Sequence, residues 1–188
     1  LFLLVSIFSS CTKKRKQPNI IFFLVDDLGW MDVGCYGSSF YETPNIDRLA
    51  EEGVRFTSAY AACHVCSPTR ASIITGKYPA SINLTDWLTG RRDFPFQKLL
   101  NVKINQHLPY NIPTLPGVLK ENGYQTAIFG KWHLGEDLAS TVRQGFDFHL
   151  PDWNRGWPNN GYYFPYDMKG LEEGSPDEYL TDRMSKEA

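Results

Sequence analysis

The sequence is poor in several features, and each shortage narrows what the chain can be. No stretch of about 20 apolar residues is long enough to span a bilayer; at the amino end Leu1 to Phe8 is short and broken by Ser6. Basic residues are scarce outside one cluster, Lys13 to Lys16. Without those four, 15 basic residues face 21 acidic ones, a body of about −6 that makes a poor general nucleic-acid binder. Repeats and low-complexity tracts are missing. Only 4 cysteines occur, of which Cys35, Cys63 and Cys66 lie in the body, so they cannot all pair with one another. No second C-x-x-C or H-x-x-x-H accompanies Cys63-His64-Val65-Cys66, which weighs against a zinc site or a redox dithiol.

What is present suits one globular domain. A chain of 188 residues with 42% hydrophobic and 21% charged residues can bury a sizeable core and excludes disorder, collagen and coiled coil. Residues 1–17 read as a truncated signal peptide followed by a tether. The apolar end exports rather than anchors, and Ser9-Ser10-Cys11 resembles the lipobox of bacterial lipoproteins, with Cys11 as the lipid-bearing residue. Plain signal cleavage is the alternative. Either way the expectation is an exported bacterial protein, periplasmic or a cell-surface lipoprotein. The start at Leu1 and the stop at Ala188, inside a charged helix-like run that begins near Pro176, read as the ends of a fragment.

The patterning predicts an α/β fold with a mainly parallel sheet flanked by helices. Asn19 to Val25 is a continuous β-branched and aromatic run, the signature of a strand buried on both faces, and it stops at Asp26-Asp27. Thr43-Pro44 opens a helix that Gly53 closes, and Val54 to Ala59 reads as a second strand. Ser67-Pro68 opens another helix ending at Gly76, which places Cys66 just before its N-terminus. A third helix spans Thr114 to Asn122, followed by a strand over Gln125 to Phe129 and then Gly130-Lys131-Trp132-His133. Residues 79–113 carry no firm period and read as a surface excursion. In parallel sheets function collects beyond the carboxyl ends of the strands, where Asp26, Asp27, Lys131 and His133 fall.

Adjacent Asp26 and Asp27 repel one another and call for a compensating cation, and carboxylate oxygens suit Ca²⁺ or Mg²⁺ better than zinc. The alternative is a pair of solvated loop acids. In Cys66-Ser67-Pro68-Thr69-Arg70, free backbone donors lie near Cys66, and Arg70 offers a fork to an oxyanion; the plain alternative is a small buried hydrophobe with a capping Ser67. Phe148, Trp153, Trp157, Tyr162 to Phe164 and Tyr166, with Asn154, Arg155, Asn159 and Asn160, form an aromatic and amide-rich segment that suits a sugar ring or ordinary loop packing equally.

Four blocks in order then resemble the type I, formylglycine-dependent sulfatases of the alkaline-phosphatase-like superfamily: Pro18 to Asp27, Thr43 to Ala50, Cys66 to Gly76 and Gly130 to Gly135. The resemblance implies that residues 18–188 are the N-terminal portion of a sulfatase catalytic domain. It implies a Cys66 converted to formylglycine by a maturation enzyme, whose hydrated aldehyde attacks sulfur and later expels sulfate. Asp26, Asp27 and the modified Cys66 become ligands of Ca²⁺, with Mg²⁺ possible, while Cys66, Arg70, Lys131 and His133 become catalytic. Arg70 would stabilise the hydrate, Lys131 bridge it to sulfate, and His133 orient or deprotonate a hydroxyl. The family also uses a later Asp with Asn or Gln, and a later His and Lys, for which these 188 residues offer no matching sequence. The substrate implied is a sulfated carbohydrate or aryl sulfate, with no nucleic-acid partner. A phosphatase or phosphonate monoester hydrolase of the same superfamily is the nearest enzymatic rival, and a non-catalytic protein binding sulfated glycans is the rival from another class.

Overall fold

The computed structural model describes residues 17–135, 138–155 and 157–188. The expected leader, the lipidation site at Cys11 and the basic cluster fall outside the described residues.

Three helices form where the sequence signals them. Helix α1, Pro44–Glu52, starts on a first-turn proline and stops at Gly53. Thr43 does not cap it with its side chain. Its Oγ1 instead accepts from the Gly34 N–H at 2.8 Å and donates to Asp47 Oδ1 at 3.1 Å, so the helix start is tied to the preceding 3-10 turn at Gly34–Tyr36. Helix α2, Cys66–Thr75, begins on Cys66 itself, one turn position earlier than expected. Pro68 is tolerated inside that first turn because the N–H it lacks would have no intrahelical acceptor. Gly76 ends α2 in the left-handed region at φ 67°, its N–H returning to Ser72 O at 2.8 Å. Helix α3, Leu115–Glu121, is capped by Thr114, whose Oγ1 accepts from the Gly117 N–H.

Beyond α3 the chain makes a parallel crossover. Strand β1, Ala127–Phe129, leads through helix α4, Leu138–Arg143, to strand β2, Phe148–Leu150, which pairs with β1 in parallel with Ala127 opposite Phe148. A parallel pair needs such a return across one face, and a helix supplies it. The two strands and the flanking helices are the α/β arrangement expected. Neither α4 nor β2 was anticipated: one is a six-residue helix and the other a three-residue strand, too short to establish a period. A last helix, α5, Leu180–Glu187, begins later than Pro176 suggested, after a turn around Asp177.

Two expected strands are not formed. Residues 19–25 and 54–59 lie in no strand, and their apolar side chains stand in solvent, Ile21 at 91% and Val54 at 82% exposure. A strand buried on both faces exists only with hydrogen-bonded neighbours and covering helices, and among the described residues no strand pairs with either segment.

The core forms elsewhere. Ala71, Ile82, Leu84, Leu108, Trp132, Leu134 and Phe146 make one cluster, with Ile74, Ile112 and Ile128 packed against it. Residues 79–113 are therefore not a mere surface excursion. Their apolar positions are too widely spaced to show a period, yet Ile82, Leu84 and Leu108 plug the space between α2 and the sheet. A second cluster, Tyr166, Met168 and Leu171, gathers Leu150, Trp153, Phe164, Leu180 and Met184 behind β2.

The join between α3 and α4 is the tightest point. Thr114 Oγ1 donates to Gln144 O at 2.6 Å, the Gln144 amide reaches Leu108 O at 3.1 Å, and Gly145 follows at φ 104°. A Cβ on Gly145 would sit 2.4 Å from Gly117 N, backbone that cannot swing aside. Gly145→Ala should accordingly destabilise the protein by on the order of 3 kcal/mol, combining an unfavourable left-handed backbone with overpacking. Urea unfolding measures this, and a loss under about 1 kcal/mol would mean that the α3–α4 junction gives way freely.

Candidate active site

The loop after β1 is held by what surrounds it. Trp132 and Leu134 are buried in the first cluster, the Trp132 indole N–H donates to Ser140 Oγ at 3.1 Å, and Leu134 O accepts from the Leu108 N–H at 2.9 Å. With both neighbours committed to the core, His133 between them turns at φ 58°. That left-handed backbone is uncommon for a residue with a side chain and marks a place where the surroundings dictate conformation. Asp27 adopts the same φ of 58°.

His133 is buried, at 8% exposure. Its Nε2 lies 3.0 Å from Leu88 O, while Nδ1 is buried with no partner among the described residues. A carbonyl only accepts, so Nε2 carries the proton and Nδ1 is left as an acceptor. Burial pushes the His133 imidazole below its ordinary value, and the nearby Lys131 and Arg70 charges act in the same direction against the Leu88 hydrogen bond. The Leu88 N–H donates in turn to Ser67 Oγ, 3.1 Å away and fully buried. Leu88 thus ties the first turn of α2 to the imidazole. On sequence grounds Ser67 figures only as a cap in the plain alternative, and a backbone carbonyl at Leu88 leaves no residue signal to find.

Arg70, one turn after Cys66, crosses to the same loop. Its Nη1 donates to Lys131 O at 2.6 Å and its Nη2 to Asp26 Oδ2 at 3.1 Å. Lys131 Nζ reaches the same Oδ2 at 2.5 Å. The Arg70 and Lys131 side chains are only 12% and 15% exposed, so this is not a freely solvated surface pair. Burial raises the Asp26 carboxyl, but the Lys131 hydrogen bond and the two cationic charges outweigh it and hold the group below the usual carboxylate value.

Asp26, Asp27 and Cys66 each offer a ligand atom, and these three atoms lie within 4.8 Å of one another. Every residue expected at the site on sequence grounds therefore meets at one place: Asp26, Asp27, Cys66, Arg70 and Lys131 directly, and His133 through the Leu88 bridge. As a donor set it is mixed. Two carboxylates fit a hard cation such as Ca²⁺ or Mg²⁺, and a thiol does not, whereas an oxygen at Cys66 would make the set uniform. Both ion pairs fall on Asp26 Oδ2, so Oδ1 is not committed to either cationic side chain.

Comparison with known proteins identifies the family. The family model Sulfatase matches residues 18–188. The N-acetylgalactosamine-6-sulfatase of Canis lupus familiaris is 40% identical over 168 residues, covering 82% of this chain and 31% of that protein. The steryl-sulfatase of Homo sapiens is 37% identical over 163 residues, covering 86% of this chain and 26% of its own. The crystal structure of Ps i-CgsB superposes with a TM-score of 0.71 at 32% identity, over 92% of this chain and 40% of the other. The same protein in complex with k-i-k-neocarrahexaose gives 0.66 at 30%, over 86% and 38%. The chain thus spans about three tenths of the length of these two curated relatives, 31% and 26%. With a family match across the whole body and the motif residues gathered at one site, the chain belongs to the sulfatase family.

Proposed function

We propose that the protein of which this chain is part hydrolyses sulfate esters, of a sulfated glycan or an aryl sulfate, using a formylglycine at Cys66 and a divalent cation, Ca²⁺ or Mg²⁺. The observation that carries the reading is the convergence of Asp26, Asp27 and Cys66 within 4.8 Å, with Arg70 and Lys131 both on Asp26. A relative's complex with k-i-k-neocarrahexaose supports a carbohydrate, while another relative's name, steryl-sulfatase, keeps the substrate class broad. The reading includes a maturation enzyme acting on Cys66, and export to the periplasm or cell surface with a lipid at Cys11.

The cation held by Asp26, Asp27 and modified Cys66 would supply electrostatic stabilisation of charge on the sulfuryl oxygens. Cys66, if converted to formylglycine, would supply a hydrated aldehyde with two hydroxyls, one to attack and one to allow sulfate to leave by elimination, a route a plain serine ester lacks. The other groups are fixed beforehand. Arg70 is anchored to the Lys131 carbonyl and to Asp26, so its guanidinium needs no reorganisation as charge develops. Lys131, held on Asp26 before substrate arrives, would turn to a sulfate oxygen. His133, with Nδ1 left as an acceptor, would be the group that takes a proton from the hydrate.

Three outcomes follow. The tryptic peptide ending at Arg70, taken from protein made in the native host, should carry a hydrazide-reactive aldehyde at Cys66, and Cys66→Ala should abolish turnover with little change in unfolding midpoint. Active protein bearing only a thiol at Cys66 would reject the mechanism.

Asp26→Asn and Asp27→Asn should each lower turnover of 4-nitrophenyl sulfate by on the order of 10²-fold, well beyond their effect on stability, and a chelator should reproduce the loss. Turnover insensitive to chelation and to both changes would remove the ligand roles.

The pH profile tests His133. Because its folded value is lowered, the imidazole stays neutral down to a pH below about 6.5, and the rate should fall only as pH drops through that lower value. His133→Gln should erase this acid limb. An acid limb at or above 6.5, or one that survives the substitution, would assign the titration to another group.

A further inference from the structure

Ser67 directly follows Cys66, and its hydroxyl is not spent on ending the helix. Helix α2 begins on Cys66 after an extended Val65, so Ser67 is the second helical residue rather than a cap. It is fully buried, and its Oγ accepts from the N–H of Leu88, a residue 21 positions along the chain, at 3.1 Å. Removing that oxygen would leave the Leu88 N–H buried and unpaired, which costs more than the net value of one hydrogen bond.

Leu88 is itself fixed from both sides. It lies in a turn closed by the Gly90 N–H on Trp87 O at 2.5 Å, and the Trp87 N–H donates to Asp86 Oδ1 at 2.9 Å. Asp86 Oδ2 accepts from Arg91 Nε at 2.9 Å, joining the two ends of that turn. The Leu88 carbonyl is therefore aimed rather than free, and it meets His133 Nε2 at 3.0 Å. Ser67, Leu88 and His133 are all buried, so water competes little for either bond.

The proton of a neutral imidazole goes to whichever nitrogen faces an acceptor, and the surroundings decide which that is. A carbonyl at Leu88 keeps the proton on Nε2 and leaves Nδ1 as the acceptor. We infer that Ser67 is a positioning residue for His133: through the Leu88 N–H it holds the Leu88 carbonyl against Nε2, and so selects the tautomer and the orientation of the imidazole. Because Ser67 is covalently joined to Cys66, the same strap couples the place of the imidazole to that of the residue proposed to carry the hydrated aldehyde. This deepens the proposed sulfatase reading and rests on it for the use made of Nδ1, whereas the strap itself is a property of the fold.

The test uses the complete protein with its histidine nitrogens isotopically labelled for magnetic resonance, His133→Gln marking which imidazole signal belongs to His133. In the unaltered protein that signal should show a proton on Nε2. Ser67→Ala should remove or shift it, and should lower turnover of 4-nitrophenyl sulfate at least about tenfold while inhibition by inorganic sulfate changes less than about twofold. Rates are taken per hydrazide-reactive aldehyde, which removes any effect on maturation of Cys66. Ser67→Thr keeps the oxygen and Ser67→Val puts a methyl of like bulk in its place, so only Ser67→Thr should retain the signal and the rate. Leu171→Ala, in the second cluster, controls for loss of stability alone and should leave both unchanged. A wild-type His133 signal in Ser67→Ala overturns the role of Ser67. So does equal behaviour of Ser67→Thr and Ser67→Val, an equal disturbance in Leu171→Ala, or a parallel loss of turnover and sulfate inhibition. Absence of turnover in the unaltered, matured protein counts against the sulfatase reading, and the imidazole signal then decides the positioning by itself.

Discussion

Burial of Trp132 and Leu134 on either side of His133 is the constraint on which the site depends. Once those two side chains are committed to the core shared with α2 and residues 79–113, the backbone between them has little freedom. His133 is forced into the left-handed region, and the Lys131 carbonyl is set where Arg70 can reach it. The chemistry of the loop is thus positioned by apolar packing, which does not titrate, rather than by its own charges. The charged groups then meet at distances that free side chains would hold only transiently.

The electrostatics follow from that placement. Arg70 and Lys131 are like charges brought together at low exposure, an arrangement that is unfavourable unless an anion lies between them. Asp26 Oδ2 fills that role here. A sulfate ester presents the same chemistry, oxygen atoms carrying negative charge, and a cation beside Asp26 and Asp27 would draw the carboxylates toward itself. The pair of cations is then left for the substrate. An internal carboxylate that keeps Arg70 and Lys131 satisfied before substrate arrives avoids two unpaired cations in a partly buried place.

Much of this was legible in the sequence because it is local. Thr43-Pro44, Gly76 and Thr114 act within a few residues, so α1, α2 and α3 fall close to their expected positions. The four motif blocks brought out every charged group now found at the site. What was not legible is non-local. Leu84 and Leu108 show no period, and their burial depends on α2 and on the Trp132 loop reaching them. The Leu88 carbonyl acts through its backbone, which any residue would supply, and so does the bond from the Trp132 N–H to Trp153 O. Strand β2 rests on three residues, fewer than any alternation can reveal.

The segment 19–25 brings the two kinds of information into conflict. Its composition is that of a doubly buried strand, yet its side chains are exposed and no strand among the described residues pairs with it. Composition reports what a segment can bury, whereas hydrogen-bonded neighbours decide whether it does. Asp26 and Asp27 stand at the end of this segment, so no ladder holds them in the described part of the molecule. The ion pairs from Arg70 and Lys131 take over that task, fastening the chain to α2 and to the loop after β1. Asp26 therefore has a structural duty here besides its candidate role as a ligand. In the absence of a cation the fastening falls to Oδ2, on which both ion pairs converge.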